Sequence, residues 1–311
     1  MTGSEVGRIT GMSYLHHKGA VQSATKSLYR ACPVGPLAFS LALCLLAAPA
    51  LADFEDVTSF MDLEDDFQET PGFEAEPSDD ARSGWRIRLG ILAGFKPEYE
   101  GSDDYEGVLA PSWRVAWRRT LILQGKNLRV QHRGDGYRIG ALVGRESGRD
   151  EDDNDNLEGL GDVDSGWSAG LFGRYDIGEH VQLQAEGRQE FSGGHSGLVV
   201  DAGAEVELPF NGPQFRAYGG VTYASSDYME EFFGISDKQS AASGKPTFDA
   251  DAGIKNFTLS LSAGYDITDN WVIGAMLRYD RLVGDAEDSP IVDDGGSRDQ
   301  FTGGVTLAYE F

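Results

Sequence analysis

The chain has 311 residues, with 26 lysines and arginines against 51 aspartates and glutamates, and a formal net charge of −25. A charge of that size argues against nucleic acid or an anionic membrane surface as a partner. Its two cysteines, Cys32 and Cys44, both lie in the N-terminal segment that we interpret as a signal peptide. Disulfides, thiol catalysis and cysteine zinc sites are therefore excluded from the mature chain.

Residues 1–52 have the composition of a secretory signal peptide. Basic residues precede an apolar run at 37–48, and small residues at Ala50 and Ala52 form a cleavage site. The apolar run is too short to cross a bilayer as a helix. We expect export, removal of this segment, and a mature chain that begins at Asp53.

The next segment, residues 53–83, is acidic. It contains Pro71, Pro77 and scattered phenylalanines, and it has no sustained period of 2 or 3.6. This composition is typical of disorder, so we expect a mobile arm on the periplasmic side.

From residue 84 onwards, apolar and polar residues alternate in repeated short segments. The longer segments begin near Trp85, Trp113, Tyr137, Trp167, Val181, Leu198, Phe215, Phe257, Trp271 and Phe301, and shorter pieces lie at 121–123 and 128–130. Alternation over about ten residues is typical of membrane strands with lipid on one side and water on the other. We predict an all-β fold, an antiparallel transmembrane β-barrel of about twelve strands, over residues 84–311.

The lengths of the connectors predict the orientation of this barrel. Bacterial barrels keep short turns in the periplasm and long loops outside. Short, turn-rich connectors lie at 118–120, 133–136, 178–179, 211–213 and 268–270. The alternate connectors, at 97–107, 149–165, 192–196, 225–256 and 284–299, are mostly long and acidic. We therefore place the first group in the periplasm and the second outside the cell.

Aromatic residues fall near the expected ends of the strands. We place Trp271, Tyr265, Tyr309 and Phe311 at the inner ends, and Trp113, Phe301 and Tyr223 towards the outer ends. A secreted β-sandwich or lipocalin-like barrel needs the same alternation but would bury these side chains in a core. Placement at the two interfaces favours the membrane barrel.

Charged residues are expected inside the barrel. Arg86, Arg88, Arg114 and Arg118 belong to the first two predicted strands, and the acids Glu186, Glu190, Glu205 and Glu207 belong to later ones. These groups either neutralise each other in a filled interior, which is our interpretation, or line a small water path.

One group of residues could in principle support catalysis. His195 lies beside Ser192 and Ser196 in a glycine-rich connector, and Asp201 could act as a third member. A hairpin turn with one exposed histidine has the same spacing. We predict no catalytic site.

The acidic run at 150–155 offers the oxygen ligands that calcium prefers. Leu157 stands where a calcium loop needs its turn glycine. We interpret the run as a solvated, self-repelling loop and predict no metal and no cofactor.

Three aromatic residues, Tyr228, Phe232 and Phe233, lie in the long connector 225–256. We expect them to fold this connector over the mouth of the barrel. The alternative is a surface that docks another molecule.

The final eleven residues alternate without a break and end on Phe311. This pattern indicates the closing strand of the barrel. We predict that Phe311 is the signal for the barrel-assembly machinery.

The sequence from residue 84 to the end resembles the MipA/OmpV family of outer-membrane proteins. The first motif is PEYEGSDDY, with Pro97, Tyr99, Gly101 and Ser102. The second, and most specific, is RLVGDAEDSPIV, with Gly284, Asp285, Ser289 and Pro290. The segment 53–83 and the acidic run near residue 150 lie outside the family pattern.

The resemblance implies a non-enzymatic barrel in the outer-membrane lipid of a Gram-negative cell. The family's founding member was named as a partner of a lytic transglycosylase, so the resemblance also implies a scaffold for murein-synthesising and murein-hydrolysing enzymes. A small-solute channel or permeability factor is the main alternative, and a surface adhesin is a third possibility.

Overall fold

The computed structural model describes residues 84–193, 197–210 and 212–311. Twelve strands in this part of the chain form a closed antiparallel barrel in which β1 pairs with β12. They are β1 (Trp85–Pro97), β2 (Tyr105–Trp117), β3 (Leu121–Gln124), β4 (Asn127–Gly134), β5 (Tyr137–Glu146), β6 (Gly166–Ile177), β7 (Val181–Glu190), β8 (Leu198–Leu208), β9 (Gln214–Ala224), β10 (Gly253–Asp266), β11 (Trp271–Leu282) and β12 (Asp299–Glu310). The predicted twelve-stranded barrel is confirmed. The predicted signal peptide, the acidic segment 53–83, His195 and Ser196 lie outside the described residues.

The two faces of the strands differ in the way that the alternation predicts. In β6, Leu171 is 72% exposed and its neighbour Phe172 is 7% exposed. In β1, Ile91 is exposed and Leu92 is buried inside the barrel. A closed wall with an apolar outer surface is the strand arrangement that a bilayer accommodates, because closure lets neighbouring strands pair their backbone polar groups.

Short and long connectors lie at opposite ends of the barrel. We call the end with the short turns 118–120, 135–136 and 178–180 the inner end, and the opposite end the outer end. The outer connectors contain the four α-helices of the described residues: α1 (Ser226–Phe233), α2 (Asp237–Ser243), α3 (Asp285–Asp288) and α4 (Pro290–Asp293). In the described part of the chain, no helix is both long enough and apolar enough to span a membrane.

The placement of Trp113 at the outer end is wrong. Strand β2 begins at Tyr105, so Trp113 is its ninth residue and lies in the inner half. The alternation before Trp113 is obscured by Pro111, which is a poor strand residue. Pairing between β2 and β3 covers only Arg114 to Trp117, so Pro111 lies beyond the end of that ladder.

The hairpin of β3 and β4 is much shorter than its neighbours on the outer side. Residues 125–126 form the turn at its tip, between Gln124 and Asn127. Gln124 pairs with Arg114 of β2, so the hairpin reaches only as far out as Arg114. Strand β2 extends nine residues past that level towards the outer end.

Candidate functional site

The outer connectors pack into a cap over the outer end of the barrel. We define the outer cap as residues 98–104, 147–165, 225–252 and 283–298. One apolar cluster in it centres on Phe233 and Met229, and a second on Leu157 and Ile291. Phe233, Leu157 and Ile291 are each 0% exposed. The aromatic connector therefore folds over the barrel mouth, as expected.

The acidic run is exposed to solvent, as expected, at Asp150, Asp152, Asp153 and Asp155, but it is folded into turns. It forms two 3-10 turns, Glu151–Asp153 and Asp155–Leu157, and the second brings Leu157 into the cap core. Between the two turns, the Asn154 side chain donates to Glu98 at 2.7 Å. Leu157 and the side chains of Asn154 and Asn156 therefore hold the run against the rest of the cap. No group of three or more His, Cys, Asp or Glu residues is arranged for a metal ion within the described ranges.

The structure brings the two family motifs together inside the cap. Pro97 ends β1, and the Tyr99 hydroxyl donates to the carbonyl of Ile291 at 3.4 Å. Asn156 donates to both of these oxygen atoms, at 2.5 and 2.8 Å. Burial raises the pKa of Tyr99, so this hydroxyl keeps its proton at neutral pH.

Gly101 is a position where the two motifs pack closely against each other. Its φ is +105°, and a Cβ atom there would lie 2.6 Å from Val292 Cγ2. Its amide donates to Gln300 Oε1 at 3.2 Å, and its carbonyl accepts from Ser297 at 2.7 Å. The carbonyl of Ser102 accepts from Gln300 Nε2 at 2.9 Å. Both the backbone conformation and the close contact require glycine at this position.

The second motif fastens its own loop to α1. The Ser289 hydroxyl is buried and donates to the Phe233 carbonyl at 2.7 Å. Pro290 follows as the first residue of α4, and Gly284 precedes α3. The Asp285 carboxylate accepts from the amide of Asp251 at 2.7 Å. The motif residues thus hold the cap together.

A buried polar cluster joins the underside of the cap to the barrel wall. Lys255 forms an ion pair with Glu100, and its Nζ lies 4.9 Å from the centre of the Tyr228 ring. The Tyr228 hydroxyl donates to Glu100 Oε2 at 3.0 Å. Burial, reinforced by the Glu100 charge, raises the pKa of Tyr228 well above its usual value. Sequence analysis did not single out Glu100, although it lies within the first family motif, or Lys255, which lies near the start of β10 with no motif of its own.

Below the cap the barrel encloses a cavity of about 550 Å³. In one network on its wall, Glu186 binds Arg129 at 3.0 Å and Arg188 at 2.6 Å, and Arg188 also binds Glu146 at 3.2 Å. In a second, Arg278 binds Asp280 at 2.6 Å. The cavity is therefore lined by neutralised charges.

The four arginines predicted to face the lumen differ in position. Arg88 and Arg86 approach Glu310 at 3.1 Å and 3.8 Å, and Arg114 donates to Gln124 at 3.0 Å. Arg118 is instead an exposed residue of the inner turn after β2, with its guanidinium 4.8 Å from the Trp117 ring centre. Among the predicted acids, Glu186 and Glu205 face arginines inside the barrel, Glu190 is buried, and Glu207 is exposed.

Sequence analysis missed the partner of Arg88 and a larger group of arginines. Glu310 lies on the inward row of β12, and only barrel closure brings it beside β1. Arginines also stand directly opposite each other across three strand pairs: Arg88 with Arg114, Arg133 with Arg138, and Arg138 with Arg174. We call the set Arg86, Arg88, Arg114, Arg129, Arg133, Arg138 and Arg174 the arginine wall. The sequence did contain a pattern that could have predicted this set, because arginines recur on the polar face of several strands.

The described members of the possible catalytic group have other partners. Ser192 Oγ accepts from the amide of Trp167 at 2.8 Å, and Asp201 accepts from the Thr222 hydroxyl at 2.6 Å. Both contacts are structural.

Comparison with known proteins gives one family and several relatives. A family model described as MltA-interacting protein MipA matches residues 89–311. Outer membrane protein OmpV of Vibrio cholerae serotype O1 is 30% identical over 198 residues, which cover 61% of this chain and 72% of that protein. Outer membrane protein Omp26La of Vibrio anguillarum is 36% identical over 113 residues, covering 36% of this chain and 39% of that protein.

The MltA-interacting protein of Escherichia coli K12 is 35% identical over 74 residues, covering 24% of this chain and 29% of that protein. The matched regions thus span less than half the length of two of these three relatives.

Proposed function

The chain belongs to the MipA/OmpV family of outer-membrane barrels, and from this premise we propose that it is a non-enzymatic scaffold for murein enzymes. Its partner would be a lytic transglycosylase, held at the periplasmic face of the outer membrane. The Escherichia coli relative, which is named for interaction with MltA, supports this assignment. Export with removal of residues 1–52 belongs to the same proposal, and N-terminal sequencing of the mature protein should give Asp53.

The observation that carries the proposal is the outer cap. Two packed apolar clusters cover the outer end of the barrel, and both family motifs are used to hold them in place. Because the most specific residues of the chain hold the outer end closed, the inner turns are the described part of the chain that we assign to contacts with other proteins. These lie on the side where murein and its enzymes are found.

Site-specific photo-crosslinking in living cells tests the scaffold. A benzophenone amino acid at Glu179, in an inner turn, should capture a lytic transglycosylase. The matched control is the same amino acid at Asp237, an exposed residue of the outer cap, which should not. Capture of no murein enzyme from Glu179 or from the other inner turns would refute the scaffold.

A small-solute channel is the second candidate, and the cavity of about 550 Å³ favours it. Charged and polar side chains line this space, among them the ion pair of Arg129 on β4 and Glu186 on β7, as they would along a polar water path. Purified protein in planar bilayers distinguishes the two. The scaffold predicts a nearly silent bilayer, whereas steady conductance whose ion selectivity changes in Arg88→Glu would favour the channel.

A further inference from the structure

The short turn after β2 contains a strained residue. Arg118 has a φ of +55°, and the other positive φ values of the described residues belong to eleven glycines. A residue with a Cβ atom is disfavoured in this region, which glycine and asparagine adopt more easily. Strain of this kind is found mainly at functional sites, where the surrounding structure maintains it. The side chain of Arg118 is therefore a candidate for a functional contact.

The guanidinium of Arg118 lies on the outside of the barrel at the inner end. Its Cζ atom is 4.8 Å from the centre of the Trp117 ring. Trp117 pairs with Trp85 of β1, and the centres of the two outward rings are 6.2 Å apart. Tryptophan rings at the strand ends of a membrane barrel mark the level of the lipid head groups. The guanidinium therefore lies at that level, on the surface that faces lipid.

Arg118 is exposed and forms no ion pair with an acidic side chain of the described residues. Arg88 in the lumen, by contrast, is paired with Glu310. The acidic group that a bilayer presents at head-group depth is the phosphate of a phospholipid. Guanidinium groups bind phosphate oxygens through paired, charge-assisted hydrogen bonds. Thr120, an exposed residue of the same turn, adds a hydroxyl donor.

The charge of this turn favours a lipid with a negative head group. The chain has a net charge of −25, but residues 118–120 carry two positive charges and no acid. The ammonium of a zwitterionic head group would be repelled by these arginines. A head group with hydroxyl groups in place of the ammonium, as in phosphatidylglycerol, avoids this repulsion. The turn should therefore prefer phosphatidylglycerol to phosphatidylcholine.

We propose that the turn 118–120 and the rings of Trp85 and Trp117 bind one anionic phospholipid in the leaflet at the inner end of the barrel. Its phosphate lies against the Arg118 guanidinium, and the first part of its acyl chains lies along the two indole rings. The contact with the Trp117 ring holds the guanidinium in place. This inference is independent of the proposed scaffold, because it requires no protein partner.

Native mass spectrometry of the complete mature protein in detergent tests the proposal. Dimyristoyl phosphatidylglycerol and dimyristoyl phosphatidylcholine have the same acyl chains and differ in the charge of the head group. We expect the first molecule of phosphatidylglycerol to bind about tenfold more tightly than phosphatidylcholine. The preference should shrink as the salt concentration rises, because salt screens exposed charges. Equal affinity for the two lipids would overturn the proposal.

The variant Arg118→Asn separates lipid binding from the conformation of the turn. Asparagine tolerates a positive φ and has no charge, so the free energy of unfolding in urea should stay the same or rise. Binding of the first phosphatidylglycerol should nevertheless weaken by about tenfold. The control Lys238→Gln removes a positive charge from an exposed residue of the outer cap and should leave this binding unchanged.

A second measurement locates the bound lipid. Phosphatidylglycerol that is brominated near the head-group end of its acyl chains quenches tryptophan fluorescence on contact, and Arg118→Asn should reduce this quenching. Heat-modifiable migration on a gel verifies that each variant is a folded barrel. Undiminished binding by Arg118→Asn, or an equal loss in Lys238→Gln, would contradict the site. These results do not depend on recovery of a murein enzyme.

Discussion

Arg88 on the first strand and Glu310 on the last strand form an ion pair inside the barrel, with Arg88 Nε 3.1 Å from Glu310 Oε2. The two residues are also direct partners in the β1 and β12 ladder. The pair therefore joins the two ends of the sheet where the barrel closes. Arg86 approaches the same carboxylate at 3.8 Å, so the single negative charge of Glu310 lies beside two cations.

Replacing Glu310 with glutamine should destabilise the closed barrel. Arg88 is 5% exposed, so it would keep its charge in a poorly solvated place beside Arg86 and Arg114. We expect the free energy of unfolding in urea to fall by about 2 kcal/mol. Glu179→Gln, in an exposed turn, is the control and should change it little. Equal stability of the two variants would mean that the pair does not support closure.

Deletion of Phe311 should lower the yield of assembled barrel without reducing synthesis. The Phe311 amide donates to the Ile87 carbonyl at 3.0 Å, and its ring lies edge-on to Tyr309 at 4.9 Å. Loss of both contacts removes the last anchor of β12 and the predicted assembly signal. The heat-modifiable fraction on an unheated gel measures the effect, and normal yield would contradict the prediction.

A charged substitution on the lipid-facing side should destabilise the barrel more than a polar substitution in the lumen. Leu261 is an outward residue in the middle of β10, and its neighbour Ser262 faces inward and is 8% exposed. Leu261→Arg should lower the free energy of unfolding by about 2–4 kcal/mol. Ser262→Gln should lower it much less. Folding into vesicles at increasing urea compares the two, and equal losses would mean that the inward and outward assignment is wrong.

Gly101→Ala should open the cap and leave the barrel intact. The new methyl group would meet Val292 at 2.6 Å in a backbone conformation with positive φ. Gly161→Ala is a matched control, since φ is +76° there but nothing lies within 4 Å of the new carbon. We expect proteases to cleave the cap of the first variant much faster. Similar cleavage of both would assign the effect to backbone strain alone.

The cap should loosen in alkali through Tyr228. Because its pKa is raised in the folded protein, the protonated form is stabilised. This contribution is complete below the ordinary tyrosine pKa of about 10 and is lost as the pH rises through the higher folded value. Hydrogen exchange of the cap between pH 8 and 11 should accelerate more in the native protein than in Tyr228→Phe. All other ionisable groups are common to both proteins, so only the difference between them reports on Tyr228.

The strands were predictable because alternation is a local property that the bilayer enforces along every segment. The cap was only partly predictable. The aromatic connector indicated a cover, but its core also depends on Leu157, an isolated apolar residue in an acidic run. The pairing of Arg88 with Glu310 could not be predicted from the local sequence pattern, since the two residues are 222 positions apart. The family motifs identified the right residues, and the structure adds that they touch each other.

The short β3 and β4 hairpin gives the barrel wall uneven mechanical support. Beyond Arg114, strand β2 is held along its β1 side, while its ladder with β3 has already ended. The outer part of the β1 and β2 hairpin is therefore joined to the barrel wall on one side only, through the pairing of β1 with β12. Cap residues 98–104 form the loop at the end of this hairpin. Force applied to the cap through this loop is resisted by one strand ladder instead of two, so this side of the wall bends first.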